Sequence, residues 1–274
     1  GTLTINGGTF AHTAVDQIAT GASVINGNVE VNAGTFTGRV ESYNGTPVLK
    51  GGNYSEKPAD KCIDDDYTVV KAENGRWNVV RKPSVAKIGD VEYTSLAKAV
   101  AAVNDGGTIT LVADEVFTAN NYYDNGGWKD GLGYSGDKSF TIDLNSKTIR
   151  QNGALNDYLI WIKNDGSKAN TITLKNGTLD AGTTAYCAIA TASSNKQKIT
   201  INLENINLVG NNSNGAVAKI RGGSELNVKA GTIITGANNY VGIEAVGNNT
   251  VVNIYDNVNI YQNGTGSYVG GIVG

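Results

Sequence analysis

The sequence has no methionine, one histidine, two cysteines and three prolines among its 274 residues. Each scarcity removes a class of chemistry. A single His12 cannot supply the imidazole clusters of a zinc site or a proton relay, and it reads as a solvated turn residue. Cys62 and Cys187 are too few for a disulfide scaffold or a cysteine metal site. Charged residues make up 17% of the chain, the formal net charge is -3, and no basic run reaches five residues, so the footprint of a nucleic-acid binder is missing. No apolar run approaches the ~20 residues of a membrane-spanning helix. No signal peptide is read at the start, and the missing initiator methionine gives the expectation that these residues were cut from a larger precursor.

What the chain has in quantity is glycine, 36 residues, with abundant asparagine and threonine, the composition of short strands and tight turns. Alternating segments recur as TIDL (141–144), TITL (171–174), TINL (200–203), ELNV (225–228) and VVNI (251–254), their starts 30, 29, 25 and 26 residues apart. A second short apolar run follows each: YLIWI, YCAIA, AVAKI, VGIEA and YVGGIV. Period-2 alternation inside a 25–30-residue repeat predicts coils of a parallel β-solenoid, with Ile142/Leu144, Ile172/Leu174 and Ile201/Leu203 stacked inward and Thr and Asn on turns and outer face. A β-sandwich is the competing fold, but it does not require near-identical units.

The same spacing continues across the termini. Joined after Gly274, TLTI (2–5) would begin 25 residues beyond VVNI, and NVEV (28–31) and TPVLKGGNYS (46–55) continue the series. Residues 66–80, DYTVVKAENGRWNVV, predict a hairpin with a type I′ turn at Asn74-Gly75, and VAKIGDVEY predicts a second hairpin. TSLAKAVAAVNDGG predicts a short helix capped by Thr94 or Ser95, its apolar face Leu96, Ala99, Val100 and Val103 covering the end of a stack. The expected fold class is all-β: a right-handed parallel β-helix in two segments joined by β-hairpins and a short capping helix. The segments are 1–83, coils ending in a hairpin, and 84–274, a helix-capped stack with an aromatic insertion at 120–139. The few residues around Pro83 cannot run back along the stack, since four extended residues reach only about 14 Å. The open coil after Gly274 is therefore expected to be completed by residues 1–55 of another copy or by a longer parent chain; the plainer alternative is an arbitrary boundary in one ordinary solenoid.

GGNYSEKPAD, YTVVKAENGRWNVV and VAKIGDVEYTSLAKAVAAVNDGGTITLVAD resemble bacterial extracellular proteins with right-handed parallel β-helices, of the pectin-lyase-like and adhesin-like sort. The resemblance covers about 48–114 in its specific part and implies an extracellular or cell-surface setting. It implies little about activity, because that fold serves lyases, hydrolases, tailspikes and adhesins alike.

Candidate sites follow from residue chemistry. Asp143, Asp180, Glu204, Glu225, Glu244 and Asp256 sit at different coil positions, not as the paired carboxylates of a glycosidase. Lys219-Ile220-Arg221 is similar, in reversed order, to a polygalacturonase basic motif, without its paired aspartates. No catalytic residue, metal ligand or cofactor is assigned. Asp64-Asp65-Asp66 reads as a solvated loop, since three adjacent acids in an extended strand cannot share one cation. Tyr122, Tyr123, Trp128 and Tyr134 are the ligand-binding candidates, for a surface glycan or a host protein, with packing over the coils as the alternative. Leu3, Ile5, Phe10, Val252, Ile254, Tyr268, Val269 and Ile272 are the expected contacts of a head-to-tail homopolymer. A carbohydrate-binding or carbohydrate-cleaving β-helix is the alternative function; an ice-binding face fits less well, because outward Thr gives way to Asn from coil to coil. Cys62 and Cys187 fall about six coils apart, roughly 29 Å, and are expected to be buried thiols.

Overall fold

The computed structural model describes residues 1–11, 28–38, 47–153, 155–210, 215–236, 241–262 and 271–273. The chain forms two compact units, Gly1–Pro83 and Ser84–Gly274, each a stack of parallel coils. The fold is a β-solenoid.

In the first unit, β1 (Thr2–Ala11), β2 (Asn28–Thr37) and the short β3 (Val48–Leu49) and β4 (Asn53–Tyr54) stack in parallel. Alternation sends Val29, Val31 and Phe36 inward, where they are buried beneath Leu3, Ile5 and Phe10 of β1. The rings of Phe10, Phe36 and Tyr54 stack at 5.0 and 4.9 Å with interplanar angles of 7° and 9°. The coils are close enough that a Cβ on Gly51 would lie 1.9 Å from the carbonyl oxygen of Asn32, so only glycine fits there.

The stack ends on an antiparallel hairpin of β5 (Tyr67–Lys71) and β6 (Trp77–Arg81), β6 pairing with β4. Its turn differs from the predicted type I′. Only Gly75 is left-handed (φ 82), its N–H donating to the Ala72 carbonyl at 2.9 Å, while Asn74 Oδ1 accepts from Arg76 N at 3.1 Å. Asn74 thus folds its side chain onto the backbone instead of entering the left-handed region, and Gly75 alone absorbs the twist. Arg76 fastens the hairpin by donating to the Phe36 carbonyl at 2.7 Å.

The second unit has three parallel faces. The first contains β9 (Gly107–Leu111), β14 (Phe140–Asp143), β17 (Asn170–Asp180), β19 (Ile199–Val209), β21 (Glu225–Val228) and β24 (Val251–Ile254). Around a corner lie β10 (Glu115–Phe117), β15 (Thr148–Gln151), the far halves of β17 and β19, β22 (Ile233–Gly236) and β25 (Asn259–Gln262). The third holds β13 (Leu132–Ser135), β16 (Tyr158–Lys163), β18 (Cys187–Thr191), β20 (Ala218–Arg221), β23 (Ile243–Val246) and β26 (Ile272–Val273). Asn176 (φ 60) and Asn205 (φ 47) bend β17 and β19 at the corner, a conformation asparagine tolerates better than most residues.

The columns expected from sequence are present: Ile172, Ile201 and Leu226 stack, as do Leu174, Leu203 and Val228, all buried. One step differs. Ile142 pairs with Leu174 and Phe140 with Ile172, two residues away from the register read from TIDL and TITL. A two-residue slip keeps every side chain on its face, so alternation alone does not distinguish the two registers. Phe140 fills the inward position, and Leu144, buried, lies just past the strand end.

Outside the columns, side-chain amides link coil to coil. Asn202 Nδ2 donates to Thr173 Oγ1, Asn227 Nδ2 to Asn202 Oδ1 and Asn253 Nδ2 to Asn227 Oδ1, at 3.3, 3.0 and 2.9 Å. Beside them run Asp143–Lys175 and Glu204–Lys229 ion pairs at 3.6 and 2.6 Å.

The start of this stack is closed by the hairpin β7 (Ala86–Ile88) and β8 (Val91–Tyr93), with β7 antiparallel to β9, and by α1 (Leu96–Ala102). Ser95 caps the helix through Lys98 N, and Leu96, Ala99, Val100 and Val103 bury the predicted face. The Glu115 carboxylate accepts from Leu96 N at 2.6 Å, a buried partner for a first-turn donor, and burial raises its pKa. Cys62 and Cys187 are both buried thiols.

Truncating a column should cost far more than trimming the surface. Leu203→Ala is expected to lose about 2–5 kcal/mol, and Val91→Ala, at an exposed hairpin position, less than about 0.5 kcal/mol. Urea unfolding of the two variants checks this; equal losses would contradict the stacking.

Candidate functional site

The aromatic insertion resolves into a hairpin and a coil strand. The hairpin pairs β11 (Tyr123–Asn125) with β12 (Trp128–Asp130), whereas Leu132–Ser135 joins the third face as its first strand. Three of the four aromatic candidates pack. Tyr122 lies partly buried against the core, with Lys129 Nζ 5.0 Å from its ring centroid. Tyr134 meets Phe140 edge-on at 5.0 Å, and its hydroxyl accepts from Lys138 N at 2.8 Å. Tyr123 stacks on Trp161 at 5.9 Å directly above Gly133, where a Cβ would come within 2.1 Å of its ring, so the missing side chain makes its seat. Tyr123 remains 36% exposed and Trp128 57%.

Asp130 anchors this hairpin. It is fully buried, its Oδ1 accepting from Tyr158 N at 2.9 Å and its Oδ2 from Asn125 Nδ2 at 3.2 Å. Burial is the main reason its pKa rises to about 7, against the opposing pull of the Tyr158 N–H; the neighbouring Asp157 adds to the rise. Asp157 is itself raised by burial, opposed by Arg221. Arg221 donates from Nη2 to the Tyr158 hydroxyl at 3.0 Å and from Nε to the Thr191 carbonyl at 2.9 Å, and it lies over the Tyr158 ring. Lys219 pairs with Glu244 at 2.9 Å and covers Tyr186. The outer side of the third face thus collects Asp130, Asp157, Lys219, Arg221 and Glu244 around tyrosines. Sequence reading separated these residues because they come from four different coils, and only the step between neighbouring coils brings them together.

The second candidate region is the pair of coil ends that, among the described residues, pair with no further strand. β24 stands last on the first face, and its Val252 and Ile254 continue the columns of Leu226 and Val228. Ile254 is 42% exposed, Val252 and Ile260 are partly buried, and Ile272, opposite Ile243 at the end of the third face, is 48% exposed. Tyr268 and Val269 lie outside the described residues. In the first unit, β1 is the edge strand: Leu3 is 46% exposed, Ile5 is buried and Phe10 is partly buried at the end of the ring stack.

The asparagine corner of the second unit holds a polar groove of about 500 Å³ lined by residues including Asp143, Asn145, Asn176, Thr178, Asn205 and Asn207. Asp64 and Asp66 fold into a turn, Asp64 Oδ1 accepting from Asp66 N at 2.9 Å. Among the described residues, no three His, Cys, Asp or Glu side chains converge as a metal site, and no helix is long and apolar enough to cross a membrane. Comparison with protein-family models, with curated proteins and with solved structures finds no match.

Because Asp130 has a folded pKa above its unfolded value, the folded state holds the proton more tightly. Asp130 therefore contributes stability that is present below about pH 4 and is lost as pH rises through about 7. Asp130→Asn keeps a carbonyl oxygen for Tyr158 N, and the Asn125 amide can turn to accept from the new amide. The variant is expected to be more stable than the native chain at pH 8, by on the order of 3 kcal/mol, and to show no such gain at pH 4. Urea unfolding at the two pH values decides it, and an identical difference at both would refute the buried-acid account.

Proposed function

We propose that this chain is a non-catalytic structural and adhesive module of the cell exterior that assembles head to tail, residues 1–55 of one copy continuing the solenoid beyond the last coil of another. One observation carries the reading: among the described residues, each unit is closed at one end and open at the other, in complementary senses. The second unit is covered at its first coil by α1 and β7–β8 and leaves Val252, Ile254 and Ile272 at its last. The first unit is covered at its last coil by β5–β6 and carries at its first the half-exposed Leu3 and the partly buried Phe10, with Ile5 buried beside them.

A parallel coil end carries unmet backbone donors and acceptors beside apolar side chains, a surface that self-associates unless covered. Mating these two ends is a heterologous contact, which propagates as a fibre when it does not close into a ring. The bacterial, surface-exposed setting is the one implied by the resemblance of residues 48–114 and belongs to the same proposal.

A second reading is favoured by the exposure of Trp128 and Tyr123 on the hairpin: recognition or cleavage of carbohydrate there, by stacking a sugar face on the rings. Glycan-array binding that is lost in Trp128→Ala while assembly persists, or release of reducing ends, would support it.

Negative-stain electron microscopy over a concentration series, on protein of verified intact mass, tests the assembly. Thin unbranched filaments are expected from the native chain. Leu3→Asp and Ile254→Asp should each abolish them with little change in thermal unfolding, because both side chains are already half exposed. Monodisperse particles at every concentration would overturn the reading.

A further inference from the structure

We propose that the joint between copies has a single register, in which Thr2–Ile5 of one copy pairs in parallel with Val251–Ile254 of the next, Leu3 over Val252 and Ile5 over Ile254. The inference rests on the head-to-tail reading and adds how the ends recognise each other. Three features fix it.

The first is coil length. The step between the last two coils of the second unit is 26 residues, Asn253 bonding Asn227, and the step between the first two coils of the first unit is also 26, Asn32 bonding Asn6. Deeper in the second unit the corresponding steps are 25, from Asn227 to Asn202, and 29, from Asn202 to Thr173. The coils at the two open ends therefore match each other in length better than either matches the interior.

The second is corner position. Asn176 and Asn205 turn left-handed two residues after the inward Leu174 and Leu203. In the last two coils the left-handed residue comes three after the inward one: Gly231 (φ 78) after Val228 and Asn257 (φ 61) after Ile254. The first unit uses that same spacing, Gly8 (φ 104) after Ile5 and Gly34 (φ 135) after Val31. Sliding the joint by one residue would turn the apolar side chains outward. Sliding it by two would keep them inward but misalign the left-handed corners, so neither alternative satisfies both.

The third is the polarity of the amide ladder. At each step the later coil donates Nδ2 to an oxygen of the earlier one, as Asn202, Asn227 and Asn253 do in turn. The ladder ends on Asn253 Oδ1, an acceptor for whatever follows. In the proposed register the next outward residue is Thr4, whose hydroxyl supplies the donor.

Adjacent parallel strands lie about 4.8 Å apart, inside the Cα separation a disulfide accepts. The test uses the full chain carrying Thr4→Cys with Asn253→Cys, against a slid control carrying Thr4→Cys with Tyr255→Cys, each with its single-substitution partners. After assembly and mild oxidation, the first pair is expected to give a ladder of covalent oligomers on non-reducing electrophoresis and the slid pair none. Filaments in which the slid pair, or neither pair, cross-links would overturn the register and leave the head-to-tail reading standing. A native chain that forms no filaments, or a cross-link confined to single chains, would overturn both.

Discussion

The backbone edge of a parallel coil is the constraint from which the rest follows. A coil strand in this fold finds its hydrogen-bond partner in the next turn of the stack, 25 to 34 residues away in the second unit, and not in an adjacent hairpin. Every coil therefore satisfies one neighbour and leaves an edge for another, and the aliphatic columns behave in the same way. Stacking Leu174 on Leu203 on Val228 buries each residue only because the next one is present. Ending such a stack needs a different kind of structure, and the chain supplies two: α1 with its hairpin in one unit and the Arg76-clamped hairpin in the other.

Much of this is written in the local pattern. Ile201 and Leu203 alternate with polar residues and repeat at Leu226 and Val228, and that is sufficient to infer coils. Ser95 before Leu96, Ala99 and Val100 is sufficient to place a capped helix. Where one local signal has two physical solutions, the sequence is silent. TIDL and TITL look aligned, yet Phe140 takes the inward position opposite Ile172, and the faces are identical either way. Asn74-Gly75 marks a turn without fixing its type, because an asparagine can bend the chain with its backbone or with its side chain.

The candidate sites divide along the same line. Leu3, Ile5, Val252 and Ile254 are legible as column residues, since they alternate with polar neighbours as Leu226 and Val228 do. The Asp130, Asp157, Tyr158 and Arg221 cluster is not legible, because its members are scattered along the chain and meet only through inter-coil steps of unequal length. An aspartate buried beneath a hairpin carries no sequence signal that distinguishes it from a solvated one. The aromatic residues of 120–139 show the converse: sequence marks them as a group, and packing separates them, leaving Trp128 outside while Tyr122, Tyr123 and Tyr134 lean on the solenoid.

Closure of the second unit by α1 and its hairpin at the first coil has a consequence for how it holds its structure. In a stack where each layer touches only its neighbours, cooperativity spreads along one dimension. Among the described residues, the layer under α1 is supported from both sides and the layer of Val251–Ile254 from one. Where no further coil covers that layer, opening starts there and runs inward, and it is the least protected part of the unit. Whatever covers that layer acts as a lock on the layers beneath it, and its binding energy appears as resistance of the whole stack to unzipping.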